Sequence, residues 1–201
     1  MRAAFRHFWL IVLLCMLRPV LADEIVEVVM VTSEGPIEIA LYADKAPVTV
    51  NNFLRYIDAE LLNGGSFYRV VTHENDNGKP AIEVIQGGMG RDKQEFLPIE
   101  HETTRQTGIL HTDGVISMAR GEVGTASSQF FICIGDQPGL DFGQSRNRDR
   151  QGFAAFGRVI EGMDIIRKIQ DLPANPNAAS PYMKGQILND PVAIMSVSRK
   201  R

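Results

Sequence analysis

The residues of this chain that could do chemistry are few and scattered. Beyond position 22 the histidines are His73, His101 and His111, and the one cysteine is Cys133. None of them stands at the short spacing that builds a structural zinc site. Cys133 lies inside the apolar stretch Phe130 to Ile134, where a lone thiol reads as a small buried hydrophobe without an internal disulfide partner. Ser127-Ser128 has no base close in sequence, and no G-x-S-x-G elbow is present. Gln86-Gly87-Gly88-Met89-Gly90 lacks the Lys-Ser/Thr pair of a P-loop and the G-x-G-x-x-G spacing, so it reads as a corner after a strand. What is left is a set of polar residues set into apolar runs. Arg69 sits in Phe67-Tyr68-Arg69-Val70-Val71, Gln86 follows Val84-Ile85, and Gln129 precedes Phe130-Phe131-Ile132. Taken singly, such an arginine is a solvent-facing charge and such glutamines belong to turns.

The elements that must position these residues are mostly strands. Glu24 to Val31 and Ile37 to Tyr42, joined by Ser33-Glu34-Gly35-Pro36, read as a hairpin. Pro47 opens a helix whose Val50, Phe53, Leu54, Ile57 and Leu61 share a face, and Asn63-Gly64-Gly65 ends it. Short apolar runs follow at Phe67 to Val71, Ile82 to Ile85, Gly114 to Met118, Gln129 to Ile134 and Phe153 to Val159. A second helix fits Met163 to Gln170, and Val192 to Val197 reads as the last strand. Few of the strands have helices between them, which disfavours a doubly wound parallel sheet and favours a mainly β, closed antiparallel barrel covered by two helices.

The first 22 residues form a separate unit. Arg2 and Arg6 precede the apolar run Trp9 to Leu17, and Val20-Leu21-Ala22 supplies a small-residue cleavage pattern. This is the pattern of a secretory signal peptide cut between Ala22 and Asp23, with an apolar run shorter than the ~20 residues of a membrane span. The expected address is export, and the periplasm if the host is Gram-negative. Residues 23–201 then form one domain without a dividing linker. Loss of Arg2, Arg6 and Arg18 with no acid takes the net charge from −3 to −6, a poor match to nucleic acid or an anionic membrane surface. The basic stretches Arg146 to Arg150 and Ser198 to Arg201 read as a solvated loop and a frayed tail, and without a long heptad pattern a monomer is expected.

Jointly and in order, these segments resemble the cyclophilin family. The resemblance is carried by Phe67 to Val71, Val84 to Gly88, Ile116-Ser117-Met118-Ala119-Arg120, Ser128 to Ile132, Leu140-Asp141 and Phe153 to Asp164, and it runs from about Val28 to Val197. It is nearest the bacterial exported members, because Tyr68 stands where many eukaryotic ones have histidine. The resemblance implies an eight-stranded antiparallel barrel capped by two α-helices. It also implies peptidyl-prolyl cis-trans isomerisation, rotation about the bond before proline against a barrier of roughly 18–20 kcal/mol. No bond breaks, so neither cofactor nor metal is needed, and the partners are proline-containing polypeptides.

By the same resemblance Arg69 is the donor that stabilises the twisted bond, and Gln86 holds Arg69 and contacts the substrate backbone. Phe131, Val84 and Leu140 form the proline pocket, Ala119, Arg120 and Gln129 line the adjoining groove, and Phe67 and Phe153 complete the substrate-binding set. Counting back from Gln86 without a gap puts Glu83 where the family usually has phenylalanine, beside an insertion from Thr72 to Ala81. Gly139 falls where relatives carry a large residue, and Phe153 replaces histidine or tyrosine. A pocket less aromatic than usual implies weak cyclosporin binding. It also keeps open an alternative, a proline-segment-binding chaperone or scaffold with little turnover.

Overall fold

The structure is a computed structural model that describes residues 25–177 and 180–200. The signal read in residues 1–22, with its cleavage site, lies outside the described residues. Strand β1 (Ile25–Thr32) turns back on β2 (Gly35–Tyr42) with Thr32 opposite Gly35. The Thr32 hydroxyl accepts from the amides of Glu34 and Gly35, and so supplies the turn with partners its backbone lacks. Helix α1 (Pro47–Asp58) follows. It has no side-chain cap of its own. Instead the Glu102 carboxylate, distant in sequence, accepts from the Val48 and Thr49 amides and the Thr49 hydroxyl, placing an anion at the positive end of the helix.

The chain continues through β3 (Gly65–Val71), β4 (Val84–Gly88), the short helix α2 (Thr104–Thr107), β5 (Val115–Met118), β6 (Phe130–Cys133) and β7 (Ala154–Glu161). Helix α3 (Met163–Gln170), the two-residue β8 (Ala174–Asn175) and the long β9 (Ile187–Arg199) complete it. Strands lie side by side in the order β1, β2, β7, β5, β6, β4, β3, β9, and β9 pairs again with β1. Every pairing is antiparallel, so eight strands close on themselves and leave no edge among the eight, while β8 adds only to β9. The expected barrel and both expected helices are present. Helix α2 is an addition: Thr103 and Gln106 form a capping box around it, but four residues are too few to leave a helical period in the sequence.

Two basic segments differ from expectation. Arg199 belongs to β9 and pairs with Asp58, and Lys200 meets Glu27 and Glu38, so this end is tied to the barrel rather than frayed. Arg146 is not solvated; its partner is described below.

The barrel interior is filled from every strand, with Phe130 at its centre. Its ring meets Phe53 of α1 and Phe67 of β3 edge-on, at 5.5 and 5.7 Å between centroids. We expect Phe130→Ala to cost about 3–5 kcal/mol, the loss typical of a large buried aromatic, read as a lowered urea midpoint with an unchanged slope.

Candidate functional site

The site lies on the outer wall of the barrel, and an irregularity in β3 creates it. Phe67 pairs with Gly87 and Arg69 with Gln86, so Tyr68 is an extra residue, a β-bulge. Strict alternation would put Arg69 on the same face as Phe67. With the extra residue, Phe67 and Val70 point into the main core, while Tyr68, Arg69 and Val71 face outward. Phe67 is fully buried against Phe130 and is therefore no substrate-binding residue; the expectation that placed it at the site is corrected by the pleat of its own strand.

Arg69 is held from two sides. Its Nη1 donates to Gln86 Oε1 at 2.8 Å, while Nε and Nη2 donate to Gln186 Oε1 at 2.9 and 2.6 Å. Gln86 Nε2 in turn donates to the Tyr68 hydroxyl at 2.8 Å. Burial raises the Tyr68 phenol above its ordinary value, against the lowering effect of Arg69 and Arg91, so it stays neutral. The ring of Tyr182 covers the Arg69 guanidinium, 5.3 Å from centroid to Cζ.

Beside this arginine is an apolar cup. Val71, Ile82, Val84, Phe131, Cys133 and Leu140 form a second buried cluster, separate from the barrel interior, with Ala119 and Phe153 packed on it. The cup encloses about 130 Å³ and has Arg69, Gln86, Arg120, Arg146 and Tyr182 at its rim. Phe153 stands edge-on to Phe131 at 5.3 Å. Of the residues expected here, Arg69, Gln86, Val84, Ala119, Arg120, Phe131, Leu140 and Phe153 come together. Gln129 does not line the cup; it borders a neighbouring groove of about 810 Å³ with Ser66, Tyr68 and Met183. Arg120 is spent on structure, since its guanidinium holds Asp149 and the Gly152 carbonyl.

The two positions that seemed to thin the pocket have neighbours that the count did not anticipate. Ile82, not Glu83, reaches the cup; the Glu83 side chain instead points toward His73, at 3.9 Å. At Gly139 a Cβ would come within 2.5 Å of Pro80 Cγ, so proline from the insertion stands where a side chain at 139 would go.

The insertion is itself locked. Asp76 accepts from both terminal nitrogens of Arg146, at 2.6 and 3.0 Å, and from the amides of Gly78 and Ile82. Arg146 also donates to the Pro80 carbonyl and to the Tyr182 hydroxyl. The paired side chains of Arg146 and Asp76 are 3% and 0% exposed. Burial alone would raise the Asp76 carboxyl, but Arg146 and the two amides outweigh it and hold it below the usual carboxylate range.

A serine, a histidine and an aspartate also meet behind the cup. Asp141 lies 2.8 Å from His111 Nδ1, and His111 Nε2 lies 2.9 Å from Ser117 Oγ. The order is that of a hydrolytic triad, yet Ser117 is fully buried and the imidazole is stacked against Phe131 at 5.9 Å. No substrate reaches that hydroxyl, so the three groups form a buried polar strut behind Phe131.

The described residues thus form a closed antiparallel barrel with a cation held above an apolar cup on its outer wall. The comparisons with known proteins agree. Residues 27–197 match the family model described as cyclophilin type peptidyl-prolyl cis-trans isomerase/CLD. Peptidyl-prolyl cis-trans isomerase A of Dickeya dadantii is 36% identical over 84% of this chain and 82% of its own. A peptidyl-prolyl cis-trans isomerase of Acinetobacter baylyi is 35% identical over 90% and 87%. The structure of a Cryptosporidium parvum cyclophilin-type isomerase, 19% identical, superposes with a TM-score of 0.67 over 89% of this chain and 99% of its own, a likeness of fold. The chain belongs to the cyclophilin-type peptidyl-prolyl cis-trans isomerases.

Sequence reasoning missed Tyr182, Arg146 and Gln186, which no motif marks because their partners are more than 30 residues away. The Asp76–Arg146 pair yields a prediction about acid. Its folded carboxyl titrates below the unfolded value of about 3.9. Its contribution is therefore complete above that value and is lost as pH falls through the folded one. Asp76→Asn should cost about 3–5 kcal/mol at pH 7 by leaving Arg146 without its counter-charge. The gap in urea midpoint between variant and wild type should narrow as the pH is lowered below about 3.9.

Proposed function

We propose that Arg69 is the catalytic donor of this isomerase and that the cup of Phe131, Val84, Leu140 and Ile82 seats the proline ring. The carrying observation is the placement of a doubly held guanidinium at the rim of an apolar cup. A planar imide resists rotation because its nitrogen lone pair is delocalised into the carbonyl. In the twisted state the lone pair returns to nitrogen, where a fixed donor gains a bond that it could not make to the planar form. That difference lowers the barrier. Arginine suits the task because it stays charged and gives up no proton. Among the described residues, three of its five N–H groups are committed to Gln86 and Gln186, which leaves two for substrate. Gln86 contacts the substrate backbone as well as Arg69. Ala119, the backbone of Arg120, and Gln129 in the neighbouring groove carry the chain on either side of proline.

The alternative, a binding module with little turnover, drew on Glu83 and Gly139. With Ile82 in the cup where Glu83 was counted, and Pro80 beside Gly139, the alternative loses much of its support. Cyclosporin binding stays weak in this reading, since proline rather than an aromatic residue backs position 139. The substrates are proline-containing segments of exported polypeptides and the working form is a monomer beginning at Asp23, periplasmic in a Gram-negative host. The charged start, apolar run and Val20-Leu21-Ala22 support export and cleavage before Asp23.

A proline-limited peptide assay on residues 23–201 tests the chemistry. Arg69→Ala should lower kcat/KM by about 10²–10³-fold, the scale for losing one preorganised transition-state donor; equal activity in the two proteins rules Arg69 out. Expressed at full length in a Gram-negative host, the protein should be recovered from the periplasm with the intact mass of residues 23–201. Recovery of the uncut chain from the cytoplasm overturns the export reading.

A further inference from the structure

Arg69 can stabilise a twisted imide only if its guanidinium plane stands at a fixed depth and roll, and a side chain with four rotatable bonds does not do this unaided. Gln86 takes one terminal nitrogen. The opposite edge, Nε with Nη2, is taken by a single atom, Gln186 Oε1, at 2.9 and 2.6 Å. Gln186 is fully buried at the threshold of β9, and its own carbonyl accepts from the Val70 amide at 2.8 Å, which fastens its backbone to the strand that bears Arg69.

An amide side chain can present oxygen or nitrogen to its neighbour. Here the choice is fixed from behind, because Gln186 Nε2 donates to the Asn75 carbonyl at 2.8 Å, so Oε1 is the atom that meets Arg69. Asn75 belongs to the insertion. Its side chain accepts from the Thr72 amide and donates to the carbonyls of Val70 and Gly185, so the carbonyl that orients Gln186 is itself held in place. The Asp76–Arg146 pair then closes the loop immediately after it. Both acceptors on Arg69 are neutral amides. A carboxylate in either place would hold the guanidinium equally well in geometry but would offset the charge that the twisted bond requires.

We infer that Gln186 is a positioning residue for Arg69, with its amide set by the Asn75 carbonyl, so that the insertion from Thr72 to Ala81 is part of the catalytic apparatus. This rests on the reading of Arg69 as the transition-state donor.

Two variants of the mature chain test it. Gln186→Met keeps the length and volume but makes no hydrogen bond. Gln186→Glu keeps an acceptor for Arg69, adds a negative charge and loses the donor to Asn75. Both should lower kcat by about 10- to 100-fold, the range for mispositioned catalytic groups, with KM for an Xaa-Pro peptide changed by no more than about twofold. A merely structural role predicts a lower melting temperature with kcat per folded molecule unchanged. The Arg69 Nε–H resonance should be slow to exchange in the wild type and in Gln186→Glu, and fast in Gln186→Met. Wild-type kcat in both variants, or a loss confined to KM, overturns the inference. Should Gln186→Met fail to fold, Gln186→Glu and the wild-type resonance decide: full turnover in the former or fast exchange in the latter overturns it. The outcomes separate the two levels of the reading. If Arg69→Ala matches wild type, the role of Arg69 falls; if Arg69→Ala is impaired and the Gln186 variants are not, only the positioning inference falls.

Discussion

A strand in a closed barrel has one dry face and one wet face, and a cation cannot be placed on the dry one without a large desolvation cost. In β3 the sequence puts Arg69 two residues after Phe67, the spacing that would aim both at the interior. The extra residue at Tyr68 removes the conflict. Phe67 and Val70 keep their places in the core, and Tyr68 and Arg69 turn outward together. Everything else at the site is arranged around the position this gives the guanidinium: Gln86 on the neighbouring strand, Gln186 at the foot of β9, and Tyr182 over its face.

The barrel thus serves as a support with two apolar regions rather than one. The interior, centred on Phe130, gives the wall its stiffness. The smaller region outside, centred on Phe131, is open at its rim and is backed by the His111 strut to Asp141 and Ser117. Adjacent residues of β6 serve opposite faces, so a single strand ties the fold's stability to the shape of the site. Groups borne on strands are held more tightly than groups on loops. The loop elements that do contribute, the insertion and the segment before β9, are fastened to each other through Asn75 and to Arg69 by the Gln186 amide, while the buried Asp76–Arg146 pair ties the insertion to the loop before β7.

Much of this was legible in the sequence. Alternation and turn residues located all eight barrel strands, β9 only from Val192 onward, and helical spacing located α1 and α3, because each of those patterns is local. Family order then identified Arg69, Gln86, Phe131 and Leu140. What could not be read is what depends on register or on distant contacts. The bulge shifts the phase of β3 by one residue, which reversed the assignment of Phe67. The insertion displaced the count by one, so Ile82 occupies the place given to Glu83. Arg146 looked like a solvent charge because its partner Asp76 lies 70 positions earlier, in a segment without a period. Gln186 carries no signal at all; an isolated glutamine between Gly185 and Ile187 acquires meaning only when β9 is laid against β3.

The contact between Gly139 and Pro80 has a consequence for how chains of this kind can diverge. The space beside Gly139 is a single volume that two distant parts of the chain could occupy, and here Pro80 of the insertion occupies it. A large residue at 139 requires a chain without Pro80 in this position. A shortened insertion with Gly139 retained leaves that space to solvent. Loop length and residue identity at these two places therefore behave as one inherited character. Among relatives the two places should change together.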